Sequence, residues 1–301
     1  HITRLIHPAF NVRAGHMIVP VGLTNTHHEP VNFFGTYRPE GETSILPSTW
    51  HETGIEFFGT FGKGYATFDY QALIVAGLNA NGFDRNNWVA GGKQGFFEVD
   101  NFTSPAYVAR LDYRGVPGLR IGGSFYYCAN TASNSDKIAT YAGVKAPLRI
   151  YTVDGRTNFV FGNLTGSTAI SNKNKGLSNS SPYTRVVQVA KKAVSYAGEV
   201  GINLRSICND NRKVPVIYPF VRYEYYNPQE EGEKGQLPMD KRNQVSMWTA
   251  GLNWYALPNL VVKADYMTRQ IGTGKVFGKG KYNSENEFSI GIAYVGWFIK
   301  K

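Results

Sequence analysis

Basic side chains recur at alternate positions along several stretches of this sequence, opposite apolar neighbours. In 105–114, Arg110 and Arg114 share one parity, while Leu111 and Tyr113 share the other. Alternate residues of a β-strand face opposite sides, so such stretches would gather cations on one face. Rows of guanidinium and ammonium groups attract phosphate-like anions by replacing part of their hydration. The candidate anion-binding residues are Arg110, Arg114, Arg120, Lys145, Arg149, Arg222, Lys263 and Arg269.

Acidic side chains share the face of these cations. They are Glu52, Glu56, Asp69, Asp112, Glu199, Glu224 and Asp265. Two interpretations follow: a basic excess that selects solutes, or cross-strand ion pairs that neutralise most of the charge. The formal net charge of +10 does not choose between them, because it also suits contacts with acidic lipid headgroups. Nucleic acid is not an expected partner, since the sequence carries no nucleic-acid-binding motif.

The longest connection, residues 22–50, carries charge near its centre. Arg38 and Glu42 would lie at a constriction if this loop folded inward between its flanking strands, 11–21 and 51–61. A long loop without regular structure is uncommon and is often functional. An ordinary surface loop is the alternative, and the sequence leaves both open.

No arrangement of residues predicts a metal site, a cofactor or a catalytic centre. His27, His28 and Glu29 are adjacent, but neighbouring histidines in an extended chain point apart and no third ligand is evident. No serine sits in a Gly-x-Ser-x-Gly elbow of the kind that hydrolases use. We therefore expect neither an enzyme nor a bound metal or cofactor.

Strand-like stretches are separated by alternating short and long connections. The stretches 51–61 and 65–77 both alternate in polarity across a tight glycine turn. The pair Asp154-Gly155 predicts another hairpin turn, which would end at Arg156. Short connections at one end and long ones at the other are typical of an antiparallel transmembrane β-barrel with short periplasmic turns and long outer loops.

Composition supports the same all-β architecture. Gly 33, Tyr 19, Phe 18 and Trp 5 among 301 residues indicate a chain rich in turns and aromatic strands. No apolar run approaches the roughly 18 residues that a transmembrane helix needs. About thirteen strands are predicted, counting a strand end at 1–7. Single-chain bacterial barrels have an even number of strands. We therefore expect residues 1–301 to form one barrel domain that lacks its N-terminal strands.

A distinctive block occupies residues 11–60. Its first strand has the pattern Gly-x-x-x-x-Pro-x-Gly, a loop with an Arg-Pro step follows, and the next strand has a glycine near its start. The segments concerned are Val12 to Gly22, the loop Asn32 to Thr43 and the opening Glu52-Thr53-Gly54. In this pattern the chain resembles the phosphate-selective porin family, porins O and P. The later order of hairpins is similar over essentially the whole sequence.

The resemblance implies an integral protein of the bacterial outer membrane, a homotrimer of barrels with about sixteen strands each. It also implies a passive diffusion channel for small hydrophilic solutes that prefers anions, with phosphate among them. The partners would be these solutes, outer-membrane lipid and lipopolysaccharide. The alternative is a plugged structural or assembly barrel that scaffolds partner proteins in the outer membrane.

Overall fold

The computed structural model describes residues 1–94, 101–135, 144–159, 162–172, 189–232, 240–272 and 282–296. The strands in these ranges are β1 (Ile2–His7), β2 (Phe10–Ile18), β3 (His51–Phe61), β4 (Phe68–Val75), β5 (Ala106–Tyr113), β6 (Leu119–Cys128), β7 (Leu148–Phe159), β8 (Gly162–Asn172), β9 (Lys192–Gly201), β10 (Val216–Glu231), β11 (Val245–Leu257), β12 (Leu260–Gly272) and β13 (Tyr282–Tyr294). The helices there are α1 (Leu23–Thr26), α2 (Glu40–Ile45) and α3 (Leu204–Ile207), with 3-10 turns at Gly64–Ala66, Ala80–Gly82, Ala90–Gly92, Thr131–Asn134 and Lys241–Asn243. No helix within these ranges is long and apolar enough to cross a membrane.

All thirteen strands belong to one sheet, in sequence order. Each strand pairs antiparallel with the next, and β12 and β13 stay in register from Leu260↔Tyr294 to Gly272↔Tyr282. Among the described residues, β1 and β13 do not pair with each other, so this part of the sheet is not closed. The prediction of an antiparallel all-β chain with about thirteen strands is confirmed.

The two faces of the sheet have opposite chemistry. In β5, Arg110 and Asp112 are buried, whereas Tyr107 and Leu111 are exposed. The exposed face is apolar and aromatic, which is unfavourable in water and favourable against hydrocarbon. Its members include Ile55, Phe57, Val221, Trp248, Leu252, Trp254, Phe288, Ile290 and Ile292. The apolar side therefore faces out and the charged side faces in.

The connections differ between the two ends of the sheet. At one end the turns are short, such as 8–9 and 258–259, although 202–215 is longer and contains α3. At the other end the connections are long, as in 19–50 and 76–105. We call these the short-turn end and the long-loop end.

An apolar core fills part of the interior at the long-loop end. Trp50 and Trp88 are fully buried there. Trp88 Nε1 donates to the Ala190 carbonyl at 3.0 Å, and the Trp50 ring lies 5.0 Å from that of Tyr126 on the inward face of β6. Protein therefore occupies the lumen on the side of β3 to β7.

The predicted hairpin turn at Asp154-Gly155-Arg156 is wrong. These residues lie within β7, opposite Gly122, Ile121 and Arg120 of β6. They also pair with β8, because β7 continues to Phe159 before the chain turns. An Asp-Gly step favours a turn only locally, and here two neighbouring strands supply ladder partners that keep the backbone extended.

Candidate pore and constriction

The predicted cations of β5 and β6 are held in ion pairs on the inward face. Arg110 Nη2 lies 2.8 Å from Asp112 Oδ1 and 2.7 Å from Asp154 Oδ1. Arg120 Nη2 lies 2.9 Å from Asp112 Oδ2. Buried guanidinium–carboxylate pairs are costly to break and fix the rotamers of both partners. Arg110 is therefore a structural part of the wall.

A second group joins the strands β9 to β13 on the opposite side. Arg222 Nη2 lies 2.7 Å from Glu199 Oε2. Arg269 bridges two elements, with Nη2 2.8 Å from Glu40 Oε1 in α2 and Nη1 2.9 Å from Glu285 Oε2 in β13. These contacts pair cations of the wall with carboxylates of the wall and of the loop.

Arg114 follows the same pattern at the short-turn end. Its Nε lies 2.9 Å from Asp69 Oδ2, and the side chain is half exposed. The interpretation based on mutual neutralisation thus accounts for Arg110, Arg114, Arg222 and Arg269. At these four positions the structure shows cations paired with carboxylates and no free excess of positive charge.

Two predicted pore residues do not lie on the inward face of a strand, and their assignment to the lumen is corrected. Arg149 of β7 is exposed, and its guanidinium lies over the outward Tyr127 ring at 5.5 Å. Lys145 is exposed between the buried Val144 and Ala146, in the segment that precedes β7. The charge alone did not indicate the face, because a cation near a strand end is tolerated on either side.

Residues 22–50 fold inward and reach the far wall. The backbone N–H of Gly41 in α2 donates to Glu224 Oε2 at 3.1 Å. Tyr226 Oη donates to Glu40 Oε1 at 2.5 Å. Farther back in the loop, Phe34 stacks on Phe220 with ring centroids 5.5 Å apart. The loop therefore crosses the interior, and we call 22–50 the constriction loop.

Lys263 is the main cation that holds this loop. Its side chain is buried on the inward face of β12, with 2% exposure. Its Nζ donates to the carbonyls of Pro30 at 2.5 Å, Phe33 at 2.6 Å and Gly35 at 2.9 Å. The ammonium group thus uses all three of its donors on loop backbone. The predicted anion-binding role of Lys263 is corrected: its donors are occupied by protein.

Arg38 and Glu42, the predicted constriction pair, both stabilise the loop itself. Glu42 is 4% exposed and accepts hydrogen bonds from the backbone N–H groups of Leu23 and Asn25, each at 3.1 Å. It lies so close to Gly22, at φ 79°, that a side chain there would collide with the carboxylate. Glu42 therefore does not face a solute.

Arg38 lies nearer open space. Its Nε donates to the His28 carbonyl at 3.1 Å, and its Nη1 donates to Ser48 Oγ at 3.1 Å. It also lines a cavity of about 590 Å³ between the constriction loop and β10 to β13. Other residues of this lining are Glu40, Arg222, Glu224, Asp265, Met267 and Glu287.

The sequence did not identify Arg156 as a pore candidate, because residues 154–156 were predicted to form a turn. It lies inward on β7, directly opposite Arg120 of β6. Among the described residues it forms no ion pair, and Arg120 Nε is buried without a partner. Like charges directly opposite on one face repel. This pair therefore presents a local excess of positive charge at the short-turn half of the interior.

His27 of the constriction loop lies near Arg156 and Arg120. It lines a cavity of about 30 Å³ together with Arg156, Glu199 and Arg222. Burial, with the positive charge of Arg156 and Arg120, lowers the pKa of His27 to about 4. The imidazole is therefore neutral at pH 7. Within the described ranges, no group of three His, Cys, Asp or Glu side chains is arranged to hold a metal ion.

Comparison with known proteins supports a porin-type fold. No family model matches the sequence. An uncharacterized protein of Aquifex aeolicus (strain VF5) is 24% identical over 262 residues, which are 86% of this chain and 58% of the relative. The chain thus spans about 58% of the length of that relative.

Two solved structures share the architecture. The outer membrane channel DcaP of Acinetobacter baumannii aligns with a TM-score of 0.55 and 10% identity, over 95% of this chain and 71% of that one. OmpF of Salmonella typhi, solved as a complex with daunomycin, aligns with a TM-score of 0.55 and 10% identity, over 95% and 74% of the two chains. The fold is that of outer-membrane porins, an antiparallel β-barrel.

Proposed function

We propose that this protein is a porin of the bacterial outer membrane, through which small hydrophilic solutes diffuse passively. The observation that carries the proposal is the inverted sheet, with an apolar outer face and a charged inner face crossed by the constriction loop. A wall of this kind is stable only with hydrocarbon outside and water or protein inside. A porin-like fold is typically non-enzymatic, and the proposal includes no reaction.

The selectivity we propose is a preference for anions, phosphate among them, carried by Arg120 and Arg156. Most other inward cations are neutralised by carboxylates or bound to loop carbonyls. Arg156 forms no ion pair within the described residues and lies directly opposite Arg120. Two guanidinium groups side by side bind tetrahedral oxyanions through forked hydrogen bonds. The preference rests on this pair and is therefore modest.

The reversal potential of the protein in a planar bilayer with a KCl gradient tests this preference. Arg156→Gln should shift the permeability ratio toward cations by about fivefold, since two unit charges about 4 Å apart interact by about 1 kcal/mol in water. Arg149→Gln is the matched control, because it removes the same charge from the outward face of the same strand. Equal shifts in both variants, or none in Arg156→Gln, would contradict the assignment. Added phosphate should reduce the chloride current of the wild type more than that of Arg156→Gln.

A plugged scaffold barrel is the second candidate, and one observation favours it. The core around Trp50 and Trp88 already fills the lumen on the side of β3 to β7. The cavity of about 590 Å³ beside the constriction loop favours the channel instead. We also propose, from the family resemblance, that the protein assembles as a homotrimer, which the mass of the detergent-solubilised protein by light scattering tests.

A further inference from the structure

A further cavity, of about 440 Å³, opens at the short-turn end of the sheet. It is formed by the ends of β10 and β11 together with the connection 202–215. Val216 and Tyr218 share the parity of the buried Phe220, so they point inward. The volume lies within the range of about 300–1,000 Å³ that small-molecule sites occupy. The lining residues are Arg205, Val216, Tyr218, Tyr255, Ala256, Leu257 and Pro258.

Two tyrosines form an aromatic corner in this cavity. The rings of Tyr218 and Tyr255 have centroids 5.6 Å apart and planes inclined at 70°. The constriction loop contacts both of them, since the Phe34 ring lies 5.7 Å from that of Tyr218 and Tyr255 Oη donates to the Val31 carbonyl at 3.4 Å. Both tyrosines are only half-buried, so ring surface remains open to the cavity. A planar ring placed in this corner stacks on one tyrosine and meets the other edge to face.

Arg205 supplies a cation beside the aromatic corner. It lies in α3, and its Nε donates to the Val214 carbonyl at 2.7 Å, which fixes the plane of the guanidinium. The side chain is half-buried and lines the cavity, and it forms no ion pair with any described residue. A guanidinium oriented in this way presents its terminal amino groups as a fork that matches a carboxylate.

The charges around the aromatic corner also favour an acid group. Arg156, the inward cation of β7, lies within electrostatic reach of Tyr255. Glu199 acts on the same tyrosine, but its carboxylate is already bound by Arg222 Nη2 at 2.7 Å. An acid group here meets cations, whereas an uncharged ring meets aromatic and apolar side chains. The apolar part of the lining is Val216, Ala256, Leu257 and Pro258.

We propose that the aromatic corner and Arg205 form a binding subsite for aromatic carboxylates, with the ring between Tyr218 and Tyr255 and the carboxylate on the guanidinium. The subsite deepens the proposed function and rests on it, because a solute in the membrane-bound protein reaches it through the passage beside the constriction loop. Inorganic phosphate lacks the ring and gains only the contact with Arg205. Aromatic acids are therefore held at this end more tightly than phosphate.

Fluorine NMR of 3-fluorobenzoate, titrated with the detergent-solubilised protein at pH 7, tests the subsite without requiring conduction. Empty micelles at the same detergent concentration give the background. We expect saturable binding to the wild type. Arg205→Gln should raise the dissociation constant by about tenfold, because one charge-assisted pair is lost. Tyr255→Leu should raise it by about fivefold, because one aromatic contact is lost.

Arg212→Gln is the matched control, since it removes the same charge from an exposed position of the same connection. It should bind the probe as the wild type does. Val216→Trp leaves Arg205 and both tyrosines in place but fills the cavity, so it should abolish saturable binding. Circular dichroism and the heat-dependent gel shift of the barrel confirm that each variant is folded.

The subsite is overturned if the wild type binds no fluorobenzoate, if Arg212→Gln weakens binding as much as Arg205→Gln, or if Val216→Trp binds normally. Displacement of the probe by inorganic phosphate as effectively as by unlabelled benzoate would also overturn it, because the ring would then contribute nothing. A barrel that binds the probe but passes no current would refute the proposed function and leave the subsite standing. A conducting barrel that does not bind the probe would refute the subsite alone.

Discussion

At the residue scale, the inward cations act mainly on the protein itself. Lys263 gives its three donors to loop carbonyls, and Arg110 is shared by two aspartates. Leaving such buried groups unpaired costs about 1–3 kcal/mol each. Arg156 forms no ion pair among the described residues, although it lies directly opposite the ion-paired Arg120. Its replacement is therefore the one expected to change solute selectivity.

His27 makes the folded loop sensitive to acid. Its pKa of about 4 in the folded protein lies below the usual value near 6.5 of an unfolded chain. Between these two pH values the unfolded chain binds a proton that the folded loop does not. The stability that neutral His27 contributes is therefore present above about pH 6.5 and is lost as the pH falls toward 4.

We predict that His27→Gln removes this dependence. The free energy of unfolding in urea, measured from pH 8 to pH 4, should fall less steeply for the variant than for the wild type, with the difference confined to pH 6.5–4. His7→Gln, in the exposed β1, serves as the control and should follow the wild type. Parallel curves for His27→Gln and the wild type would show that His27 is not held neutral.

Sequence reasoning at this scale predicted faces better than partners. Strand parity placed Arg110, Arg222 and Lys263 inward, and the structure agrees. It assigned Arg149 to the wrong face, because charge was taken as a sign of the lumen although the outer interface also accepts cations. The partner of Lys263 was beyond prediction, since three backbone carbonyls more than 200 residues away leave no signature in side-chain type.

At the element scale, hydrogen bonds to the wall hold the constriction loop in a fixed position. It is bound to β10 through Gly41 and Glu224, and to β12 through Thr36, whose N–H donates to Asp265 Oδ2 at 2.6 Å. Loop length suggested a function, but only the fold shows which wall the loop meets. At Asp154-Gly155 the local sequence predicted a turn, and the prediction was wrong. Backbone pairing with β6 on one side and β8 on the other keeps these residues extended.

A disulfide between the loop and β13 tests this docking. A Cβ on Gly291 would lie 4.0 Å from that of Thr36, within the range of about 3.5–4.5 Å for a disulfide. In a Cys208→Ser background, Thr36→Cys with Gly291→Cys should cross-link on mild oxidation. Single-channel conductance should be the same before and after oxidation, because the bond would only fix a contact that already exists.

The control pair combines Thr36→Cys with Gly198→Cys, where an added Cβ meets no atom within 4 Å. It should remain reduced under the same conditions. Failure of the Thr36/Gly291 pair to cross-link, or a step in conductance when it does, would mean that the loop is not held against β13.

At the scale of the whole molecule, the architecture follows from one alternation repeated along the chain. Apolar residues outside and charged residues inside, with short and long connections in turn, predicted the antiparallel barrel and its thirteen strands. Whether the lumen conducts was not predictable, because it depends on how the loop and the Trp50 core share the interior. Those contacts are long-range and set by packing.

Single-channel conductance of the protein in a planar bilayer tests the central claim, that a water-filled passage remains beside the docked loop. The account predicts stepwise currents that scale with KCl concentration, and larger steps for Lys263→Met, whose loop has lost its three-carbonyl anchor. Lys213→Met, changed at an exposed site, should match the wild type. Folded, inserted protein that passes no current would contradict the channel and identify the barrel as plugged.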